Sequence, residues 1–340
     1  MDRSFASLAH TSIMPNHTWR PTASLENLKR RHEITQAVRS FFLAAGFWEV
    51  ETPLLSRDTV VDTHLDPVPV ALSWDPAKPT EGERYYLQTS PEFAMKRLVA
   101  AGADAIFQIT KAFRLAEAGS QHNVEFTLVE WYRVGDDLPA GMRLLSDLAA
   151  AVLKRGPAKM ISYAQLFQKH LQIDPLTTTG EQLLAVARQH SVSVPESFAS
   201  EDVESLLELL LSELIQPKLG FDRPVILYHY PASQAALARL DEADPRVACR
   251  FELFVDGMEL ANGYDELLDA EILVERNQTN NAARQALGKP PLKEESQLIE
   301  AMRAGLPACS GCAMGLDRLV MAAIGAKSIE EVIPFPTRQA

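Results

Sequence analysis

An Asp-Gly pair separates Phe251-Glu252-Leu253-Phe254-Val255 from Met258-Glu259-Leu260, and few short signals constrain a chain's local fold more tightly than these two residues between alternating strands. A two-residue turn at Asp256-Gly257 sets Val255 opposite Met258 and Phe254 opposite Glu259. Glu252 then shares a face with Glu259, one diagonal step away. The chain must therefore hold antiparallel neighbours at this point. A second pair of strand-like runs, 105–114 and 125–133 joined by a polar loop, points the same way.

Helical spacing fills much of the remainder. From 24 to 46 the residues Leu25, Leu28, Ile34, Ala37, Val38, Phe41, Phe42 and Ala45 recur at helical intervals, with Ser24 as N-cap and Gly46 as the stop. A strand over 47–52 follows and ends at Pro53, which has no ladder N–H. Prolines and polar residues between 63 and 84 mark loops and short edge strands, before a strand at 85–88 and a helix at 91–101. Residues 142 to about 220 are mostly helical in pattern, notably 201–214, and read as a helical insertion. Strands return at 224–230, 250–255 and 258–262, then a helix spans about 269–287 and another follows Gly315. Strands paired through hairpins and flanked by helices predict an α+β fold, not a doubly wound parallel sheet.

Composition narrows the function classes. With 340 residues of which 46% are hydrophobic, the chain has material for a large core, in one or two domains. Its 33 Lys+Arg against 45 Asp+Glu leave a net charge of −12, the opposite of the basic footprint that grips a nucleic-acid backbone, so a tRNA-sized partner is disfavoured. No run reaches the length of a membrane span, and residues 1–18 lack the basic-then-apolar layout of a signal peptide. The expectation is a cytoplasmic protein with a short N-terminal tail. Cys249, Cys309 and Cys312 are too few for a disulfide framework, and the Cys309–Cys312 spacing lacks the second pair of a zinc site.

Three places could carry chemistry. Glu252 and Glu259, on one hairpin face, suit a shared Mg²⁺ that takes its other ligands from phosphate oxygens; a solvated acidic face is the plainer alternative. Phe126, Leu128, Glu130 and Tyr132 share one strand face, where a buried carboxylate needs a cationic partner, either a substrate amine or a structural Arg. Finally, Cys309-Ser310-Gly311-Cys312-Ala313-Met314-Gly315 lies directly before the apolar helix that begins Leu316-Asp317-Arg318. Small residues let backbone approach a ligand closely, and an Arg at a helix start sits where anions are already favoured. The plainer reading is a Gly-rich turn before a packing helix.

These segments, in this order, resemble the catalytic domain of class II aminoacyl-tRNA synthetases of the lysine subclass, over 19–340. Val50-Glu51-Thr52-Pro53 looks like motif 1, a dimer interface; Phe113-Arg114 through Tyr132 is similar to motif 2; Gly311 to Arg318 is similar to motif 3. Thr89-Ser90-Pro91-Glu92 and Glu259-Leu260-Ala261-Asn262-Gly263-Tyr264-Asp265-Glu266 resemble lysine-subclass segments. The short chain, the Glu130-Trp131-Tyr132 variant and the Cys-Ser-Gly form of motif 3 look closest to the branch that lysylates a protein, elongation factor P, instead of tRNA. That branch lacks the anticodon-binding domain, as does this reading of the chain.

The resemblance implies an ATP-dependent ligase that forms an acyl-adenylate and then an amide. Arg114 and Arg318 would be catalytic, on the α- and γ-phosphates. Phe126 would stack on adenine, and Glu117, His122, Asn123, Glu259, Leu260 and Gly315 would complete the ATP site, with Mg²⁺ on Glu252 and Glu259. Glu266, Tyr132 and Glu130 would surround a substrate side-chain amine, with Ser90, Glu92, Asn262 and Ala313 on the rest of lysine or (R)-β-lysine. Two positions depart from the pattern. Ala116 stands where the family has Glu, the acid being Glu117, and Ala313 stands where lysyl-tRNA synthetases have Gly, a methyl that would bear on the choice of β-lysine. Two other readings remain open: a small lysyl-adenylate ligase acting on tRNA or a metabolite, and a non-catalytic regulatory paralogue, against which Arg114, Arg318, Glu252, Glu259 and Glu266 argue.

Overall fold

The computed structural model describes residues 19–195, 198 and 202–340; the expected tail at 1–18 lies outside them. The chain opens with α1 (Leu25–Ala44), whose N-cap Ser24 accepts from Asn27 N at 3.1 Å as its sequence predicts. The buried stripe of α1 is Ile34, Val38 and Phe42, whereas Leu25, expected on that stripe, is exposed. The expected strand over 47–52 shrinks to β1 (Trp48–Glu49). After it come β2 (Leu55–Ser56), β3 (Val68–Leu72), β4 (Glu83–Leu87), α2 (Glu92–Ala100), β5 (Ala105–Phe113), β6 (Glu125–Val134) and α3 (Leu138–Leu153). The middle of the chain holds β7 (Lys159–Ser162), α4 (Tyr163–Leu171), α5 (Gly180–Gln189) and α6 (Val203–Leu210). It continues through β8 (Val225–Pro231), β9 (Val247–Val255), β10 (Met258–Asp265), α7 (Ala270–Ala286), α8 (Gln297–Gly305), β11 (Cys309–Gly315) and α9 (Leu316–Ile324).

Eight strands form one sheet in the order β1-β5-β6-β11-β10-β9-β8-β7, and β2-β4-β3 form a small second sheet. The six central strands are antiparallel, while β1 and β7 lie parallel at the two edges. The α+β expectation stands.

Alternation divides the large sheet into two faces. Phe107, Val129, Trp131, Phe251, Leu253, Cys312 and Met314 point one way, into a core shared with α1, α3 and α9. On the other face, Met95, Val99, Ile106, Tyr132, Leu298 and Ile299 form a cluster with α2 and α8 at one end. Tyr163, Phe167, Leu206, Leu210, Tyr230 and Phe254 form a third cluster with α4 and α6 at the other end. Between these two clusters a cavity lies over the second face, walled in part by α7 and α6. The helix α3, which the sequence reading assigned to the start of the insertion, packs Leu145, Leu148 and Ala149 into the first core, so the helical unit with its own core begins only at α4.

Candidate active site

The strand β11 corrects the picture of a Gly-rich turn. It runs through the middle of the sheet, pairing Gly311 with Tyr132 and Tyr264 on its two sides and Ala313 with Glu130 and Asn262. Cys312 and Met314 turn into the first core. Gly311, Ala313 and Gly315 therefore face the cavity side with a single methyl between them. A Cβ on Gly311 would overlap the Tyr132 ring and the Glu266 carboxylate, whereas one on Gly315 would meet only the Arg318 side chain. From Ala313 to Gly315 the floor of the cleft is nearly bare backbone, open to a ligand, while Gly311 lies beneath Tyr132 and Glu266. Cys309 and Cys312 lie on opposite faces of one strand, about 10 Å apart along it, and both are buried, Cys309 in the cluster with α2 and α8 and Cys312 in the first core; burial raises both thiols, Cys309 to about 12.

The hairpin β9–β10 supplies the next strip of floor. Asp256 and Gly257 both have positive φ, 51° and 76°, as the primed turn requires. Val255 pairs with Met258 and Phe254 with Glu259, as the spacing predicts, but the register then shifts and Glu252 faces Asn262. Leu260 is the extra residue of this β-bulge, and it packs in the first core beside its neighbour Ala261. Of the expected ATP contacts, Leu260 can therefore offer only its main chain. The bulge is what places Glu259 on the same side as Asn262 and Tyr264; an unbroken alternation would have turned them apart.

At one end of the cleft three carboxylates meet. Glu130, 1% exposed, accepts from Ser90 Oγ at 2.7 Å and Tyr132 Oη at 2.6 Å. Glu92 accepts from Lys96 Nζ at 2.6 Å, and the same ammonium bonds Glu266. Burial pushes Glu130 up to about 7 and Glu266 up to about 8, with Lys96 pulling each back down. Glu266 Oε1 and Asn262 Oδ1 are buried without a hydrogen-bond partner. Unpartnered acceptors among acids held near neutrality describe a site for an ammonium group.

At the other end the charges reverse. Arg114 follows β5, its N–H donating to Val124 O, with its guanidinium carbon 5.0 Å from the Phe126 ring centroid and Glu117 at 3.7 Å. Its Nε is buried and without a partner. Ala116 takes φ +64°, a left-handed kink just before Glu117. Arg318 donates to Glu259 O at 2.9 Å and lies against His122, whose imidazole is held below its usual range by burial and by Arg318. Asn123 is spent on structure: its amide donates to Glu125 O and accepts from Thr337 N, which straps the C-terminal segment to this loop.

Between the two ends, burial and the charge of Glu252 push Glu259 to about 7. Glu252 itself is held by Tyr230 and Arg250. Among the described residues no group of three or more His, Cys, Asp or Glu gathers around a metal position. The two acids do fit a Mg²⁺ ion whose remaining ligands are phosphate oxygens, since their mutual repulsion is what a cation would relieve.

Every residue that the resemblance assigned to ATP, Mg²⁺ or the amino acid lines one cavity of about 860 Å³, a volume within the range of small-molecule sites. Sequence reasoning missed Lys96, Arg250 and Tyr230, and also Arg31, which pairs with buried Asp317 at 2.5 Å. For Lys96 the signal was present: four residues after Glu92 on a helix puts it on the same face. Arg250, two residues before Glu252 on a strand, was legible in the same way.

Nearly the whole sequence also matches known proteins. Residues 16–339 match the family described as tRNA synthetases class II (D, K and N). A protein of Salmonella gallinarum (strain 287/91 / NCTC 13346) named Elongation factor P--(R)-beta-lysine ligase is 45% identical over 324 residues, covering 95% of this chain and 98% of that protein. Its namesake from Salmonella schwarzengrund (strain CVM19633) is 44% identical with the same coverage.

Proposed function

The chain belongs to the class II tRNA synthetases (D, K and N), and from its likeness to the relatives named Elongation factor P--(R)-beta-lysine ligase we propose that it joins (R)-β-lysine, or lysine, to elongation factor P at the expense of ATP. Its reaction class is that of an aminoacyl-adenylate-forming ligase. The observation that carries the reading is a single cleft with ammonium-binding acids at one end, Glu92, Glu130 and Glu266, and the cations Arg114 and Arg318 at the other.

In the first step the substrate carboxylate attacks the α-phosphorus of ATP and pyrophosphate leaves. Arg114, with a donor already unpartnered, binds the α-phosphate and offsets the charge that develops there; Arg318 holds the departing γ-phosphate end. Glu252 and Glu259 would hold a Mg²⁺ ion, which when bound would supply further charge neutralisation for the phosphates. Phe126 offers its ring to adenine, with Glu117 and His122 closing the loop around it. Glu266, Glu130 and Tyr132 fix the far amine, so that the carboxylate is presented to phosphorus in one orientation. In the second step the amine of an acceptor lysine attacks the acyl carbon, an amide forms and AMP leaves. No side chain has to act as a covalent nucleophile.

The remaining details belong to the same reading. Residues 19–340 form the catalytic body, with the helices from α4 to α6 as its cap. A net charge of −12 favours a protein acceptor over tRNA. The half-exposed Trp48 and exposed Leu43 beside edge strand β1 suit a homodimer contact at the motif 1 segment. No helix of the described residues is long and apolar enough to cross a membrane, and a role in translation suits the cytoplasm. Exchange of labelled pyrophosphate into ATP, with lysine or (R)-β-lysine as the required partner, tests the first step. Its absence with both amino acids would overturn the reading.

A further inference from the structure

Lys96 has no part in the mechanism so far, yet it is among the most enclosed charges in the molecule, at 2% exposure. A buried ammonium is costly unless paired, and one carboxylate would suffice for a structural pair. Lys96 instead bridges two acids from different elements, Glu92 on its own helix α2 and Glu266 just beyond β10. Its Nζ lies 5.9 Å from the ring centroid of Tyr132, the residue that also donates to Glu130. Once all three carboxylates are ionised, they and the one ammonium leave an excess of two negative charges. Lysine and β-lysine each carry two ammonium groups.

We propose that Lys96 is a positioning residue for the amino-acid subsite: by bridging Glu92 and Glu266 it fixes the distance between the two acidic poles and sets their excess charge to match a diamino acid. The inference rests on the function proposed above and deepens it. Without Lys96 the acids would carry a third uncompensated charge, and they would meet it by keeping a proton in place of the substrate's ammonium. The other titratable groups packed around Glu266 and Glu130 are Tyr132 and Tyr264, and the thiols Cys309 and Cys312, all held protonated at neutral pH by burial. The compensating proton would therefore sit on the carboxylates. Because Lys96 pulls Glu130 and Glu266 down from still higher values, its removal moves their titration upward.

The test is pyrophosphate exchange by Lys96→Met and Lys96→Arg as a function of pH, with KM for amino acid and for ATP measured separately. Lys96→Met is expected to raise KM for the amino acid about 10-fold or more and leave KM for ATP unchanged. The rise of kcat/KM for the amino acid with pH should move up by about one unit or more. Lys96→Arg keeps the charge and should retain the wild-type pH profile. If Lys96→Met does not fold, Lys96→Gln, which keeps a donor one bond shorter and without the charge, carries the same comparison. A folded neutral variant with the wild-type pH profile and amino-acid KM, altered only in thermal stability, would show that Lys96 is structural and overturn the proposal. Exchange absent from the wild type as well would overturn the underlying function, a distinguishable result.

Discussion

Arg114 and Ala313 show how differently a residue can matter at one site. Arg114 carries charge to a place where charge develops, and its buried Nε has no partner before a ligand arrives. Replacing it by Ala should lower kcat for adenylate formation about 10²–10³-fold, the scale of losing one preorganised donor, with a melting temperature close to the wild type; single-turnover adenylation alongside thermal unfolding checks both. Ala313 carries only a methyl, but it lies between Glu130 and Asn262 on an otherwise bare strip of backbone. Ala313→Gly should shift the ratio of kcat/KM for (R)-β-lysine over lysine towards lysine, by no more than about 1–3 kcal/mol. An unchanged ratio in exchange assays with both isomers would remove Ala313 from specificity. Both residues were legible through family resemblance alone, because nothing in the local pattern distinguishes a methyl on a floor from a methyl in a core.

The elements that aim these residues were only partly legible. Hairpin β9–β10 could be read down to its turn, since Asp-Gly forces positive φ at both positions, but its bulge could not, because an extra residue leaves no mark when Leu260 and Ala261 are both apolar. For β11 the small residues concealed a strand: with Gly311, Ala313 and Gly315 on one face, no hydrophobic alternation was left to see. The edge strand β1 was overestimated because a run of apolar and charged residues reads as a strand whether or not a neighbour exists along its length. What orients α9 was missed altogether. Asp317 at its first turn accepts from Thr127 N at 2.8 Å on β6 and pairs with Arg31 on α1, while Arg31 also donates to Thr127 Oγ1. Three elements are tied through one carboxylate that is 2% exposed. Asp317→Ala leaves Thr127 N without its acceptor and takes the paired carboxylate from the largely buried Arg31, which keeps its bonds to Thr127 Oγ1 and Val332 O; it should cost about 3–5 kcal/mol, read by denaturant unfolding, and a loss below about 1 kcal/mol, as at a surface pair, would contradict this account.

One sheet face is given to the core and the other, between two helical clusters, to a cleft with opposite charges at its ends. This polarity has a consequence for pH. Glu130 and Glu266 hold their protons to about 7 and about 8, so the stability they contribute is full below the ordinary carboxylate range and is lost as pH rises through those values. Binding two ammonium groups requires the ionised acids, so kcat/KM for the amino acid should rise over the same interval. Thermal unfolding across about pH 6 to 9 should show the ligand-free protein losing stability while added (R)-β-lysine stabilises it increasingly. The overall α+β plan was legible because hairpins and amphipathic helices announce themselves locally. The cleft's charge compensation was less so, since Lys96 and Arg250 acquire their meaning only when distant strands bring the acids to them. The most direct test of the central claim is the intact mass of elongation factor P after incubation with this protein, ATP and (R)-β-lysine. The account predicts the addition of a single lysyl group, at a rate about 10²–10³-fold lower with Arg114→Ala; an unmodified factor in a mixture where pyrophosphate exchange proceeds would contradict it.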